Sequence, residues 1–164
     1  MGALPRADRA IGLFVILQTS LIVGLLISRS ARRRSEEVLH LVKADIAASG
    51  ISVQLELATG LPKIRSDRIG LQEVLLNLLA NASDALKLVQ GERVLTVRTK
   101  GAPEGGVQVI VEDSGPGIPA DALDSVFTPF HSTKPGGLGM GLAICRTILT
   151  ALGGSIRADA GTGS

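Results

Sequence analysis

The sequence predicts an α/β fold, and three observations carry that reading. Short stretches with alternating apolar residues read as strands, longer stretches with an apolar stripe every three to four residues read as helices, and glycine clusters fall where a strand ends and where a helix begins. The core is aliphatic: 45% of the 164 residues are hydrophobic, yet there is no Trp or Tyr and only three Phe. A net charge of +2 is too small to argue for nucleic acid, and the pI near 9.0 traces to Arg29, Arg32, Arg33 and Arg34. One cysteine, Cys145, excludes an internal disulfide, and its apolar helical surroundings predict a buried thiol. The sequence has no cluster of Cys and His to ligate a metal.

Ala10 to Ser28 are nineteen residues without a formal charge. At about 1.5 Å per helical residue they nearly span a hydrocarbon core of about 30 Å, so the expectation is one N-terminal transmembrane helix, with a signal peptide or a buried soluble helix as alternatives. Arg29 and Arg32 to Arg34 outnumber Arg6 and Arg9, which puts everything after Ser28 in the cytoplasm by the positive-inside rule. The spacing predicts a helix over Glu36 to Ala48, stopped by Gly50, and a half-buried strand over Ile51 to Leu57. Division into an N-terminal segment, 1–35, and a folded unit, 36–164, follows.

The next helix starts near Asp67 as N-cap and carries Leu71, Val74, Leu75, Leu78, Ala82 and Ala85 on one stripe. Asn77, Asn81 and Asp84 fall within roughly 60° of one another beside that stripe. Asparagine costs helix propensity and needs partners near a buried face, whereas a merely solvated face recruits Lys and Glu, so this polar row points to a site. Val94 to Thr99 and Val107 to Val111 read as strands of a hairpin turned at Pro103 to Gly106. Asp113 then follows a buried strand, where its carboxylate can accept from a ligand amino group such as that of adenine. Gly115 and Gly117 let a ligand approach bare backbone. A second cluster, Gly136, Gly137, Gly139 and Gly141, opens an apolar helix over Leu138 to Leu152, and amide groups at a helix N-terminus favour phosphate. Phe127, Phe130 and Lys134 lie on the long loop between. Gly153 and Gly154 end the helix, and Ser155 to Ala160 reads as a last strand.

With Asn-Leu-Leu-Ala-Asn-Ala at 77–82, Asp-Ser-Gly-Pro-Gly-Ile at 113–118, Phe-Thr-Pro-Phe-His-Ser-Thr-Lys at 127–134 and Gly-Leu-Gly-Met-Gly-Leu at 137–142, the chain resembles the ATP-binding catalytic domain of bacterial sensor histidine kinases. The likeness runs from about Glu36 to Ser164 and is nearest the nitrogen- and oxygen-regulation branch, where an acidic residue stands as Asp84 does here. It implies the Bergerat fold, a two-layer α/β sandwich with a mixed sheet, and ATP with Mg²⁺ as cofactors. Asn81 would bind Mg²⁺, Asn77 would assist at the phosphates, Asp113 would take the adenine amino group, and Lys134 would meet the terminal phosphates. Phe127 and Phe130 would anchor a lid. Gly137, Gly139 and Gly141 would cradle the triphosphate, with Ile118, Leu138, Met140 and Leu142 in the same boxes. Implied partners are histidine-bearing dimerisation helices and a response regulator; the implied location is the inner membrane, single-pass, with the ATP domain in the cytoplasm.

Two departures shape the expectation. His40 is followed by Leu41-Val42-Lys43, which does not match the family's phosphate-accepting motif, and His131 falls in the lid. Gly161 to Ser164 stand where the family continues into a closing strand, so the expectation is an unpaired sheet edge and a kinase unable to phosphorylate itself. A gyrase-type hydrolytic ATPase, an anti-sigma-type serine kinase and a non-catalytic membrane-tethered nucleotide-binding protein are the alternatives.

Overall fold

A computed structural model describes residues 11–17, 46, 48–64, 66–103, 105–130 and 138–160. Seven elements follow one another: β1 (Ile11–Leu17), β2 (Ser52–Leu57), α1 (Arg68–Lys87), β3 (Val94–Gly101), β4 (Val107–Asp113), α2 (Gly141–Ala151) and β5 (Ser155–Asp159), with two short 3-10 turns at Ala120–Ala122 and Ser125–Phe127. The strands form one mixed sheet in the order β2-β3-β4-β1-β5. Only β2 and β3 pair in parallel; the other three pairings are antiparallel. The mixed α/β architecture expected from the sequence is therefore present.

β4 is the centre of the sheet, and Val107 to Val111 are buried without alternation, as a strand covered on both faces must be. Toward the helices, Val107, Val109 and Val111 join Leu95 and Val97 of β3 against Leu71, Val74, Leu78, Ala82 and Leu86 of α1 and Cys145 and Leu149 of α2. The α1 residues recur at three- and four-residue spacing, which is why one stripe of the helix meets the sheet. Asp67 caps α1, its carboxylate accepting from the backbone N–H of Ile69 at 3.0 Å and Gly70 at 3.1 Å. The two helices touch closely: a Cβ on Gly70 would lie 2.9 Å from Ile148 Cγ2, so only glycine fits there. The Cys145 thiol donates to the Val74 carbonyl at 3.8 Å, a second tie between the helices.

β2 is an edge strand, and the half-buried strand expected there is more open: Val53 is 45% and Leu55 60% exposed. On the face away from the helices, Arg98 bridges Glu56 of β2 and Glu112 of β4, the latter at 3.2 Å. Arg93 stitches the loop before β3 to its surroundings, donating to the carbonyls of Ser49 at 2.7 Å and Val89 at 3.2 and 3.3 Å.

One expectation is corrected. The transmembrane helix read over Ala10 to Ser28 is not what residues 11–17 form: they are strand β1, inserted between β4 and β5. A short apolar run rich in Ile, Leu and Val satisfies a buried strand as well as a helix, and periodicity alone does not separate the two. No helix among the described residues is long and apolar enough to cross a membrane, and residues 18–28 lie outside them. β1 lies between β4 and β5, which leaves β2 and β5 as the edges of the sheet. Of the helix read over 36–48, only Ile46 and Ala48 are described, both helical, with Ile46 buried in the core.

Candidate functional site

Three elements converge at one end of the sheet. β4 runs out at Asp113, α1 presents its row of polar residues alongside, and α2 begins at Gly141. Asn77 and Asn81, one turn apart on α1, are half-buried and face the start of α2: a Cβ on Gly141 would lie 3.0 Å from Asn77 Oδ1 and 3.9 Å from Asn81 Nδ2. The missing side chain at 141 is what lets both amides sit against the first turn of α2. Asn77 is held by its Nδ2, which donates to the Glu73 carbonyl at 3.0 Å and leaves Oδ1 turned toward Gly141. Met140, the N-cap residue of α2, offers no side-chain cap, and the first turn holds no acidic residue. A helix start of this kind can receive an anion through its backbone N–H groups.

Alongside α1, the turn after β4 is tightly fixed. Asp113 Oδ1 accepts from the Gly115 N–H at 2.9 Å. Gly115 is buried, and a Cβ there would come 2.5 Å from Asp113 Oδ1 and 3.0 Å from the Ala85 Cβ of α1, a wedge that no side chain fits. Ser114 clamps the turn to the start of β3: its hydroxyl accepts from the Val94 N–H at 3.0 Å and donates to the Glu92 carbonyl at 3.1 Å. Gly117 adopts φ +102° and Gly139 φ +65°, conformations that glycine reaches without steric cost.

The remaining expected residues divide. Asp84 is exposed and pairs with Lys87 at 3.5 Å, one turn further along α1 than the asparagines. Phe127 is buried at 5% exposure, whereas Phe130 is 77% exposed and holds φ +64°, a left-handed conformation that a bulky residue rarely adopts. Ile118 and Leu142 are half-buried, Leu142 against the core; Leu138 is 77% and Met140 38% exposed beside the crevice. Lys134 and Gly137, like His40 and His131, lie outside the described residues. Among the described residues no group of three or more His, Cys, Asp or Glu is arranged to hold a metal ion. Asn81 and Asn77 offer instead neutral amide oxygens, a donor set suited to a hard cation that takes most of its ligands from phosphate and water.

Sequence reasoning gave Ser114 no role of its own and read Ala85 only as part of the apolar stripe. Ser114 lies inside the Asp-Ser-Gly-Pro-Gly box, and Ala85 is four residues after Asn81 on the same row; small size at a position facing a glycine turn was the available signal. Cys145 is buried as expected, and burial pushes its thiol up to about 12.

Comparison with known proteins identifies the family. The model of the histidine kinase-, DNA gyrase B- and HSP90-like ATPase family matches residues 66–164. The sensor histidine kinase ZraS of Klebsiella oxytoca is 40% identical over 125 residues, covering 76% of this chain and 26% of that protein. The C4-dicarboxylate transport sensor protein DctB of Rhizobium meliloti is 37% identical over 126 residues, covering 77% of the chain and 20% of DctB. The chain therefore spans about a quarter or less of the length of these relatives. Among solved structures, a mycobacterial sensor histidine kinase, MprB, superposes with a TM-score of 0.63 at 28% identity, covering 76% of this chain and 78% of that one. The chain belongs to the histidine kinase-, DNA gyrase B- and HSP90-like ATPase family, and its relatives within it are sensor histidine kinases.

Proposed function

We propose that the crevice between α1, the Asp113–Gly117 turn and the start of α2 binds ATP with Mg²⁺ and presents its terminal phosphate to a histidine. The observation that carries this is the convergence of Asn77 and Asn81 on the bare Gly141 at the uncapped start of α2, with a fixed Asp113 carboxylate across the same helix. A full-length relative by structure, ShkA, is described in complex with AMPPNP, which supports a nucleotide here. Asp113 accepts from the adenine amino group. The N-terminal amides of α2, with Gly139 and Gly141, receive the phosphates. Asn81 offers its amide oxygen to the metal, and Asn77 assists at the phosphates. Magnesium, held there by Asn81, would supply charge neutralisation at the phosphates. Phe127 anchors the base of the loop that carries Phe130 and Lys134, and Lys134 meets the terminal phosphates.

Phosphoryl transfer asks little covalent chemistry of the protein, only positioning and charge neutralisation. The bond from the γ-phosphorus to its bridging oxygen breaks, a bond to a histidine ring nitrogen forms, and ADP leaves. The histidine belongs to dimerisation helices, and a response regulator takes the phosphoryl group next; both are inferred from the whole-length sensor kinases. Hydrolysis is the weaker reading, because an amide at position 77 is unable to take a proton from water. The domain works on the cytoplasmic side of the inner membrane, where ATP is available.

Calorimetric titration of the chain with ATP, with and without Mg²⁺, beside Asp113→Asn tests the reading. Asn keeps an acceptor for the Gly115 N–H, so the turn survives, but it can present a donor where adenine also donates. Mg²⁺-dependent binding lost in the variant is the expected result. A folded wild-type chain that binds no ATP, or a variant that binds as well, overturns it.

A further inference from the structure

β4 leaves its ladder with β3 through an exchanged partner. Residues opposite one another in a hydrogen-bonded antiparallel pair trade two backbone bonds. Leu95 stands opposite Asp113, so the same register puts Val94 opposite Ser114. There the Ser114 N–H donates to the Val94 carbonyl at 3.0 Å, but the return bond runs from the Val94 N–H to the Ser114 hydroxyl, also at 3.0 Å. The hydroxyl stands in for the carbonyl of its own residue. The chain therefore turns off the strand immediately after Asp113 without orphaning a ladder N–H, and the turn it enters bonds the Asp113 carboxylate through the Gly115 N–H at 2.9 Å. The Ser114 hydroxyl gives its own proton to the Glu92 carbonyl at 3.1 Å, so one side chain grips the segment 92–94 at both ends.

That segment is itself anchored by Arg93. The Arg93 carbonyl accepts from the Ser52 N–H at 2.8 Å, and its guanidinium donates to the carbonyls of Ser49 at 2.7 Å and Val89 at 3.2 and 3.3 Å. The entry to β2 and the chain just beyond α1 are thus held to the residues that Ser114 grips. We propose that Ser114 and Arg93 are positioning residues for nucleobase selection: Arg93 sets the 92–94 segment, Ser114 registers the turn upon it, and the Asp113 carboxylate is thereby aimed at the adenine amino group. This rests on the nucleotide site proposed above, and each residue acts through Asp113 rather than on the nucleotide. A carboxylate rewards an exocyclic amino group only while distance and angle are held, since hydrogen bonds weaken steeply off-line. Without the Ser114 hydroxyl, the Val94 N–H and the Glu92 carbonyl lose their partner. The least costly repair returns the carbonyl of residue 114 to the Val94 N–H, which straightens the exit from β4 and swings Asp113 away from the base.

The test compares two ligands on full-chain variants by calorimetric titration with Mg²⁺: ATP, and purine riboside triphosphate, which carries hydrogen where adenine carries its amino group. A site built to bond that amino group rejects the analogue that lacks it, and wild type is expected to prefer ATP about ten-fold or more. Ser114→Ala and Ser114→Val are expected to bring the preference below about three-fold while binding purine riboside triphosphate within about two-fold of wild type. Ser114→Thr restores the hydroxyl and with it the wild-type preference; Arg93→Met lowers the preference about three-fold or more. A role in stability alone weakens both ligands alike and leaves their ratio unmoved. Ser114→Ala or Arg93→Met with the wild-type ratio, or Ser114→Thr behaving as Ser114→Val, overturns the proposal. Should Ser114→Ala fail to fold, Arg93→Met decides. Wild type that binds both triphosphates alike, or neither, marks the failure of the nucleotide-site reading instead, and the proposal falls with it.

Discussion

Gly115→Ala is expected to remove nucleotide binding and to cost measurable stability, for one geometric reason. A Cβ at 115 would sit 2.5 Å from Asp113 Oδ1 and 3.0 Å from the Ala85 Cβ, so something must shift. The carboxylate is the softer neighbour and rotates first, surrendering its 2.9 Å bond from the Gly115 N–H. Loss of a hydrogen bond to a charged group costs about 1.5–3 kcal/mol, and the remaining crowding against α1 adds about 1 kcal/mol. For a chain of this length each kcal/mol lowers Tm by about 2–4 °C, so thermal unfolding should shift by roughly 5–15 °C. Binding suffers more than stability, because the displaced carboxylate no longer points at the adenine position. Ala85→Gly in the same chain separates the two effects: it relieves the α1 contact at a helix cost of about 1 kcal/mol but leaves the Asp113 clash. Calorimetric titration and differential scanning read both quantities. If Gly115→Ala melts at the wild-type temperature and binds ATP with wild-type affinity, the account of the turn is refuted.

Two further predictions concern the frame. Asp67→Ala deletes the cap that accepts from Ile69 and Gly70 and is expected to cost about 1 kcal/mol in urea unfolding, with ATP affinity unchanged because the cap lies at the far end of α1 from Asp84. Burial raises the Cys145 thiol from 9.0 to about 12, with Glu73 adding to the effect, so the neutral form belongs to the folded state. Unfolding free energy should therefore be insensitive to this group below about pH 9 and fall as pH rises from there toward 12; iodoacetamide at pH 8 should leave the folded chain unmodified and label it in urea.

How far the fold was legible in the sequence depends on whether the signal was local. Asp67 as cap, the stripe from Leu71 to Ala82, the hairpin at 103–106 and the glycine start of α2 were all readable, since each is set by residues within a turn or two. The convergence of Asn77, Asn81 and Gly141 was legible only as a polar row and a glycine box whose shared place had to be supplied by resemblance. β1 was misread because Ile11 to Leu17 is apolar enough for bilayer, helix or central strand, and its partners Val107–Asp113 and Ser155–Asp159 lie far along the chain. The openness of β2 was hidden for a related reason: alternation of Val53, Leu55 and Leu57 identifies a face but not what covers it.

The pairing of Gly12 with Asp159 also fixes an order of events. The segment synthesised early is a partner of the segment synthesised late, so the sheet has no local route to completion, and pairing over such a separation is intrinsically slow. While translation proceeds, residues 11–17 are an apolar strand without a ladder, the kind of segment that recruits chaperones or other nascent chains. Ser155–Asp159 must clear the ribosome before that exposure ends. Yield of soluble protein should accordingly depend on how quickly the last strand follows α2 out of the exit tunnel, a kinetic constraint imposed by topology.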